Sequence, residues 1–230
     1  PGAVNQETGV IEGISAIPYI HGFSWYQVLA HHQLPVHLEN DANCVGLSEL
    51  LAHPETENAA CVVIGTGIGG AMMINGKLHR GRHGLGGEFG YMTTLAPTEK
   101  LNNWSQLAST GSMVRYVNEK SGQSDWDGRK IYQEAAAGNV LCQEAIERMN
   151  RNLAQGLLNI QYLIDPDVIS LGGSISQNPD FIKGVQKAVD VFVERYEEYT
   201  IAPVIQACTY QADANLYGAL VNWLQEENQW

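Results

Sequence analysis

The run Val62-Val63-Ile64-Gly65-Thr66-Gly67-Ile68-Gly69-Gly70-Ala71-Met72-Met73-Ile74-Asn75-Gly76 places a glycine-dense turn between two apolar segments. Glycine amides in such a turn point together and cradle an anion, most often phosphate. Gly65-x-Gly67-x-x-Gly70 also spells the dinucleotide fingerprint, but that motif needs a helix whose N-terminus faces the pyrophosphate. Here Ala71-Met72-Met73-Ile74 meets Asn75-Gly76, a two-residue hairpin signal, too soon for a helix. The expected structure is strand, glycine turn, strand, which argues against a dehydrogenase. A tight hairpin that holds no ligand has the same pattern.

Three other groups could do chemistry. Asn40-Asp41 follows the apolar run Val36-His37-Leu38, expected as a strand started by Pro35. Ligands in open α/β sheets collect beyond the carboxyl ends of strands, so a carboxylate there could take the proton of an attacking hydroxyl. Asn or Asp opening a helix is also an ordinary N-cap, and one of the pair could cap while the other works. Glu88 stands in Gly84-Leu85-Gly86-Gly87-Glu88-Phe89-Gly90-Tyr91, where absent side chains let a ligand approach. Its two acceptor oxygens suit adjacent hydroxyls, and Tyr91 offers a hydroxyl or a flat face; a merely solvated loop is the alternative. His79, Arg80, Arg82 and His83 just upstream read as a solvated basic loop that could also assist with phosphate. Leu171-Gly172-Gly173-Ser174 follows a strand and could let a flat ligand such as adenine lie on the backbone, or serve only as a tight strand–helix connection.

The elements that must position these groups alternate between strand and helix. Ser24 is placed to cap a helix carrying Trp25, Val28 and Leu29, and helices are expected at about 42–52, 104–120, 128–137, 179–196 and 212–224. The longest, 140–164, carries Ile146, Met149, Leu153, Leu157, Ile160 and Ile164 as one stripe and stops before Pro166. Strands are expected at 168–171 and 204–207, while the five glycines between residues 81 and 90 forbid regular structure there. The pattern is α/β.

The chain has 230 residues, 44% of them hydrophobic, and 13 basic against 25 acidic residues give a formal net charge of −12. No Lys/Arg cluster forms a nucleic-acid surface and no apolar run is long enough for a membrane span. The four cysteines, Cys44, Cys61, Cys142 and Cys208, fit neither a zinc knuckle nor a redox pair and read as buried thiols of a cytoplasmic protein. Pro1-Gly2-Ala3-Val4 reads as the middle of a domain, so an N-terminal segment is expected to be missing.

Together the motifs resemble the ROK family of sugar kinases and sugar-responsive repressors, across essentially the whole chain. Glu39-Asn40-Asp41-Ala42-Asn43 is similar to the family's catalytic segment, Ile64–Gly70 to its phosphate hairpin, His83–Gly90 to its sugar signature and Leu171-Gly172-Gly173 to its adenosine motif. The resemblance implies a two-lobed, actin-like (RNase H-like) ATPase fold, its first lobe incomplete here. Residues 1–58 would be the rest of the N-terminal lobe, 59–211 the C-terminal lobe, and 212–230 a helix returning toward the first. It implies ATP-dependent phosphorylation of a hexose, at the 6-hydroxyl, with Mg²⁺. Asp41 would be the base; Asn40, Glu88, Tyr91 and Gln106 would hold the sugar; Gly65, Thr66, Gly67, Gly69, Gly70, Gly172 and Gly173 would hold ATP. It also implies a homodimer without membrane or nucleic-acid partners.

Four departures stand out. Tyr91 replaces the His that closes the family's sugar signature, and Gln106 stands about where a sugar-binding Glu is usual. Asn102-Asn103-Trp104-Ser105-Gln106 replaces the cysteine cluster of its zinc site, so no zinc is expected. The family's first phosphate loop, an N-terminal Asp-Gly-Gly segment, is absent from the chain. Two rivals follow: a sugar-responsive regulator with DNA-reading helices before Pro1, and a sugar-binding protein without turnover.

Overall fold

The computed structural model describes residues 1–13, 15, 17–94, 102–195 and 201–229. A short antiparallel pair, β1 (Ala3–Asn5) and β2 (Val10–Glu12), precedes helix α1 (Trp25–Leu29). Helix α2 (Asp41–Ala52) leads to β3 (Ala59–Ile64), β4 (Ile68–Ile74) and β5 (Lys77–Leu78). The small pair β6 (Thr93–Thr94) and β7 (Asn102–Asn103) comes ahead of α3 (Trp104–Ala108), α4 (Thr110–Ser121), α5 (Gly128–Ala136) and α6 (Val140–Ile164). β8 (Val168–Gly172), α7 (Pro179–Val193), β9 (Ile205–Ala207) and α8 (Ala214–Glu226) complete the order.

The main sheet runs β5-β4-β3-β8-β9. β3 lies antiparallel to β4, from Ala59 opposite Met73 to Ile64 opposite Ile68, and parallel to β8, from Ala59 opposite Val168 to Val63 opposite Gly172. A strand covered on both faces needs an unbroken apolar sequence, and Ala59-Ala60-Cys61-Val62-Val63-Ile64 provides it. Successive side chains go to opposite faces. Ala59 and Cys61 pack with Leu47, Leu50 and Val221 of α2 and α8, whereas Ala60, Val62 and Ile64 join the core formed with α6 and α7. Between β4 and β5, Asn75 (φ +52°) and Gly76 (φ +68°) supply the two left-handed residues of the expected hairpin turn.

Helix α2 is enclosed along most of its length, with everything from Ala42 to Leu50 buried. Gly46 lets it settle on Met73 of the sheet, and Gly218 lets α8 cross so closely that a methyl group there would overlap the Cys44 carbonyl. A carboxylate secures the far end of α2. Glu49, only 5% exposed, accepts hydrogen bonds from the Thr209 amide (2.7 Å) and the Ser170 hydroxyl (3.1 Å).

Helix α6 has the expected limits, and its stripe is wider than expected: Cys142, Ala145, Ala154 and Leu158 are buried too, while Ile146 and Ile164 lie at its edge. Asn139 caps its start through the Cys142 amide, 3.2 Å away.

Several expectations need correction. Residues 36–38 are not a strand: no ladder partner meets them among the described residues, and side chains take carbonyls of the segment instead, Trp223 that of Pro35 (3.4 Å) and Gln6 that of Leu38 (2.9 Å). The single helix expected over 104–120 is two, broken where Ser109 is extended (φ −80°, ψ 161°). Ser24 does not cap α1; its hydroxyl donates to the Thr8 carbonyl at 2.6 Å. The expected end of α7 at Tyr196 lies outside the described residues.

Candidate active site

The Asn40-Asp41 pair divides its work. Asn40 Oδ1 accepts the amides of Ala42 (2.8 Å) and Asn43 (3.2 Å), so Asn40 caps α2. Its Nδ2 donates to the Gly2 carbonyl at 3.0 Å. Asp41, the first helical residue, is left with its side chain 53% exposed, Oδ1 lying 3.0 Å from the Ala42 amide. Asn215 at the start of α8 donates to the Asp41 carbonyl at 2.8 Å.

The glycine turn is held from behind. The Gly65 carbonyl accepts the Gly111 amide (3.2 Å), and the Thr66 carbonyl accepts the Ser109 hydroxyl (3.1 Å). The Ser105 hydroxyl meets both the amide (2.8 Å) and the carbonyl (3.2 Å) of Ile68. This anchoring explains the break at Ser109, and at Gly111 a methyl group would overlap the Thr66 carbonyl. In a trans peptide the N–H points opposite to the preceding C=O, and no cis bond occurs here. With the Gly65 and Thr66 carbonyls drawn toward α4, the Thr66 and Gly67 amides point the other way, and neither donates to a described residue. At Gly65 an added methyl would meet nothing within 4 Å. Adjacent outward amides beside open space are an anion cradle.

Glu88 sits in a loop laid directly on β4. Gly87 has φ +87° with Ala71 Cα only 2.8 Å from where a Cβ would stand, and a methyl group at Gly90 would overlap the Ile68 carbonyl. These glycines therefore serve backbone packing rather than ligand approach. Burial raises the Glu88 pKa above its ordinary value, and the negative charge of Asp41 adds to the rise.

Asp41, Glu88 and the turn open onto one cleft of about 500 Å³, whose lining includes Asn40, Gly65, Thr66, Gly67, Gly69 and Tyr91. Tyr91, 68% exposed, forms part of that wall. The lining also includes polar residues that had not been anticipated, Ser15, Asn103, Ser105 and Asn215 among them.

Four expected site residues do other work. Gln106 is not among the cleft residues; its amide oxygen accepts the Asn103 amide (3.1 Å) and completes a capping box at the start of α3. Gly70 is buried, and a side chain there would strike Phe89. Gly172 and Gly173 close the end of β8 onto β3: at Gly173 (φ +89°) a methyl group would overlap the Ile64 carbonyl. Beyond them lies a second hollow of about 720 Å³, lined by Ser174 and Ile175 with Thr110, Gly128 and Tyr132. Thr110, on its wall, is the chain neighbour of Gly111, whose amide bonds the Gly65 carbonyl of the turn.

Among the described residues no three His, Cys, Asp or Glu side chains gather to hold a metal ion, and no helix is long and apolar enough to cross a membrane.

The arrangement has close counterparts. A ROK family protein of Streptococcus pneumoniae, crystallised with sucrose, superposes with a TM-score of 0.95 at 88% identity over all of this chain and 80% of that one. A ROK family glucokinase of Streptomyces griseus, solved with glucose and AMPPNP, gives 0.80 at 25% identity, covering 95% of this chain and 77% of that one. The beta-glucoside kinase of Listeria monocytogenes is 34% identical over all of this chain and 79% of its own length. These neighbours share the actin-like ATPase fold. The ROK family model matches residues 1–226, and with the turn, Asp41 and Glu88 on one cleft, this chain belongs to the ROK family.

Proposed function

We propose that this chain is an ATP-dependent sugar kinase that transfers the γ-phosphoryl group to a hydroxyl, the 6-hydroxyl, of a hexose or hexose derivative. The observation that carries this reading is the division of labour at α2: Asn40 caps the helix, which leaves the Asp41 carboxylate available in the cleft that also holds the anion cradle. Asp41 takes the proton of the sugar hydroxyl while that oxygen bonds to the γ-phosphorus and the bond to the ADP oxygen breaks. Glu88 accepts hydrogen bonds from adjacent sugar hydroxyls, and Tyr91 borders the sugar. Thr66 and Gly67 bind the phosphates through their amides, and the base and ribose extend toward the hollow beside Ser174. Magnesium on the nucleotide would neutralise charge on the phosphoryl group being transferred. Relatives bearing the names beta-glucoside kinase and glucokinase support the reading. The test is ADP release over a panel of hexoses, N-acetylhexosamines and β-glucosides. Sugar-dependent release supports it; sugar binding with no release on any member overturns it in favour of a binding protein.

Two outcomes separate the parts. Gly65→Val should leave thermal stability near the parent's, because φ is ordinary and the space is open. It should raise the KM for ATP by about tenfold or more, since each 1.4 kcal/mol of lost contact is tenfold. An unchanged KM would remove Gly65 from the nucleotide path.

Glu88 sets a pH dependence. With its folded pKa above the unfolded value, the native state binds more protons between the two, so stability falls as pH rises through that window. Sugar affinity moves the other way, because a protonated carboxyl loses acceptor capacity. The KM for sugar should therefore rise as pH falls, beginning above the ordinary glutamate range, and Glu88→Gln should abolish that limb while raising KM at neutral pH. A pH profile of KM for both proteins checks it.

A further inference from the structure

We infer that Arg80 is a positioning residue that fixes Asp41 and Glu88 relative to each other; this deepens the kinase reading and rests on it. Arg80 follows β5 and acts in two directions. Its Nε donates to Glu39 Oε2 at 2.6 Å, and the Glu39 side chain is only 3% exposed. Glu39 Oε1 in turn accepts the Asn40 amide (2.8 Å) and the Asn43 side-chain amide (2.9 Å).

In an ordinary capping box, the third helical residue takes the amide of the N-cap residue. Here Glu39 takes that amide from outside the helix, and Asn43, the third helical residue, binds Glu39 instead. The start of α2, and with it Asp41, is therefore tied to a guanidinium that belongs to another part of the chain. The same guanidinium reaches α8, through Asn222 (3.0 Å) and Glu226 (3.6 Å).

In the other direction, the Arg80 carbonyl accepts the Gly86 amide at 2.8 Å, two residues before Glu88. A side chain at Gly86 would overlap the His79 carbonyl, so the loop and residues 79–80 are in contact. One residue thus connects to both carboxylate-bearing segments, by its side chain on one route and its backbone on the other. A guanidinium suits this task because its planar, fixed donors reach Glu39 and Asn222 together, which a lysine ammonium on a flexible stem does not reproduce.

The test uses four variants, with kcat and KM for sugar and for ATP measured per folded molecule and the melting temperature recorded beside them. Arg80→Met and Glu39→Gln should each lower kcat by about 10- to 100-fold, the scale on which small misplacements reduce turnover. Both should leave the KM for ATP near the parent value. Arg80→Lys keeps the charge but not the fork, so it should recover melting temperature more than kcat; it also serves if the Met variant does not fold. Equal recovery of both, or variants that lose only melting temperature while kcat per folded molecule stays within twofold of the parent, would overturn the inference. Asp41→Asn tests the underlying reading separately: if it retains turnover, the base assignment fails whatever the Arg80 series shows.

Discussion

Asp41→Asn is expected to reduce turnover by roughly 10²–10⁴-fold, the usual contribution of a positioned general base. At about 1.4 kcal/mol per factor of ten, that is roughly 3–5 kcal/mol of transition-state stabilisation. Sugar affinity should change little, because the amide keeps the size and an acceptor oxygen of the carboxylate. The fold should tolerate the change, since the cap of α2 is Asn40 and the Asp41 side chain is more than half exposed. Steady-state kinetics alongside calorimetric titration of the sugar check it. Turnover close to the parent's would show that another group takes the proton. Asn40→Ala provides the contrast: loss of a cap should cost about 1 kcal/mol of stability.

Trp104→Ala is expected to have the largest effect on stability. The ring is fully buried, its Nε1 donates to the Asn152 carbonyl at 2.8 Å, and it lies against α6 where Gly156 leaves room. Truncating a buried aromatic costs about 3–5 kcal/mol through lost transfer energy and the cavity left behind. In a chain of this size, where each kcal/mol is worth about 2–4 °C, the melting temperature should fall on the order of 10 °C. Activity should fall as well, because the neighbours Asn103 and Ser105 line the cleft and Ser105 holds Ile68 beside the turn. A melting curve within 2–3 °C of the parent, about the worth of a single kcal/mol, would show that α3 does not depend on this anchor.

The parts of the fold legible in the sequence are those with local causes. Asn75-Gly76 dictates a hairpin through its own backbone preferences, and this was enough to exclude a helix after the glycines. Asn139 and Pro166 bracket α6, and the continuous apolar run 59–64 marks a central strand. What could not be read has its cause elsewhere in the chain. Val36-His37-Leu38 has the composition of a strand, yet strand formation requires a partner, and composition does not say whether one is present. The break at Ser109 exists because its hydroxyl reaches the Thr66 carbonyl, a contact 43 residues away. Asn215 reaches the cleft from α8, with no signal near Asp41 to announce it. Gln106 differs, because its role was available: Asn103-Trp104-Ser105-Gln106 carries the spacing of a capping box, and that signal outweighs analogy to a sugar-binding glutamate. Gly70 and Phe89 were each visible, but their contact was not.

The enclosure of α2 bears on how the cleft can change shape. A rod clasped by Glu39 at one extremity and Glu49 at the other, with Gly46 and Gly218 admitting the sheet and α8, cannot slide or roll without stranding charge or colliding with its neighbours. Asp41 therefore belongs to the stationary jaw. Any narrowing of the cleft must then leave this helix in place, and native-state hydrogen exchange should find the amides of α2 among the slowest in the molecule.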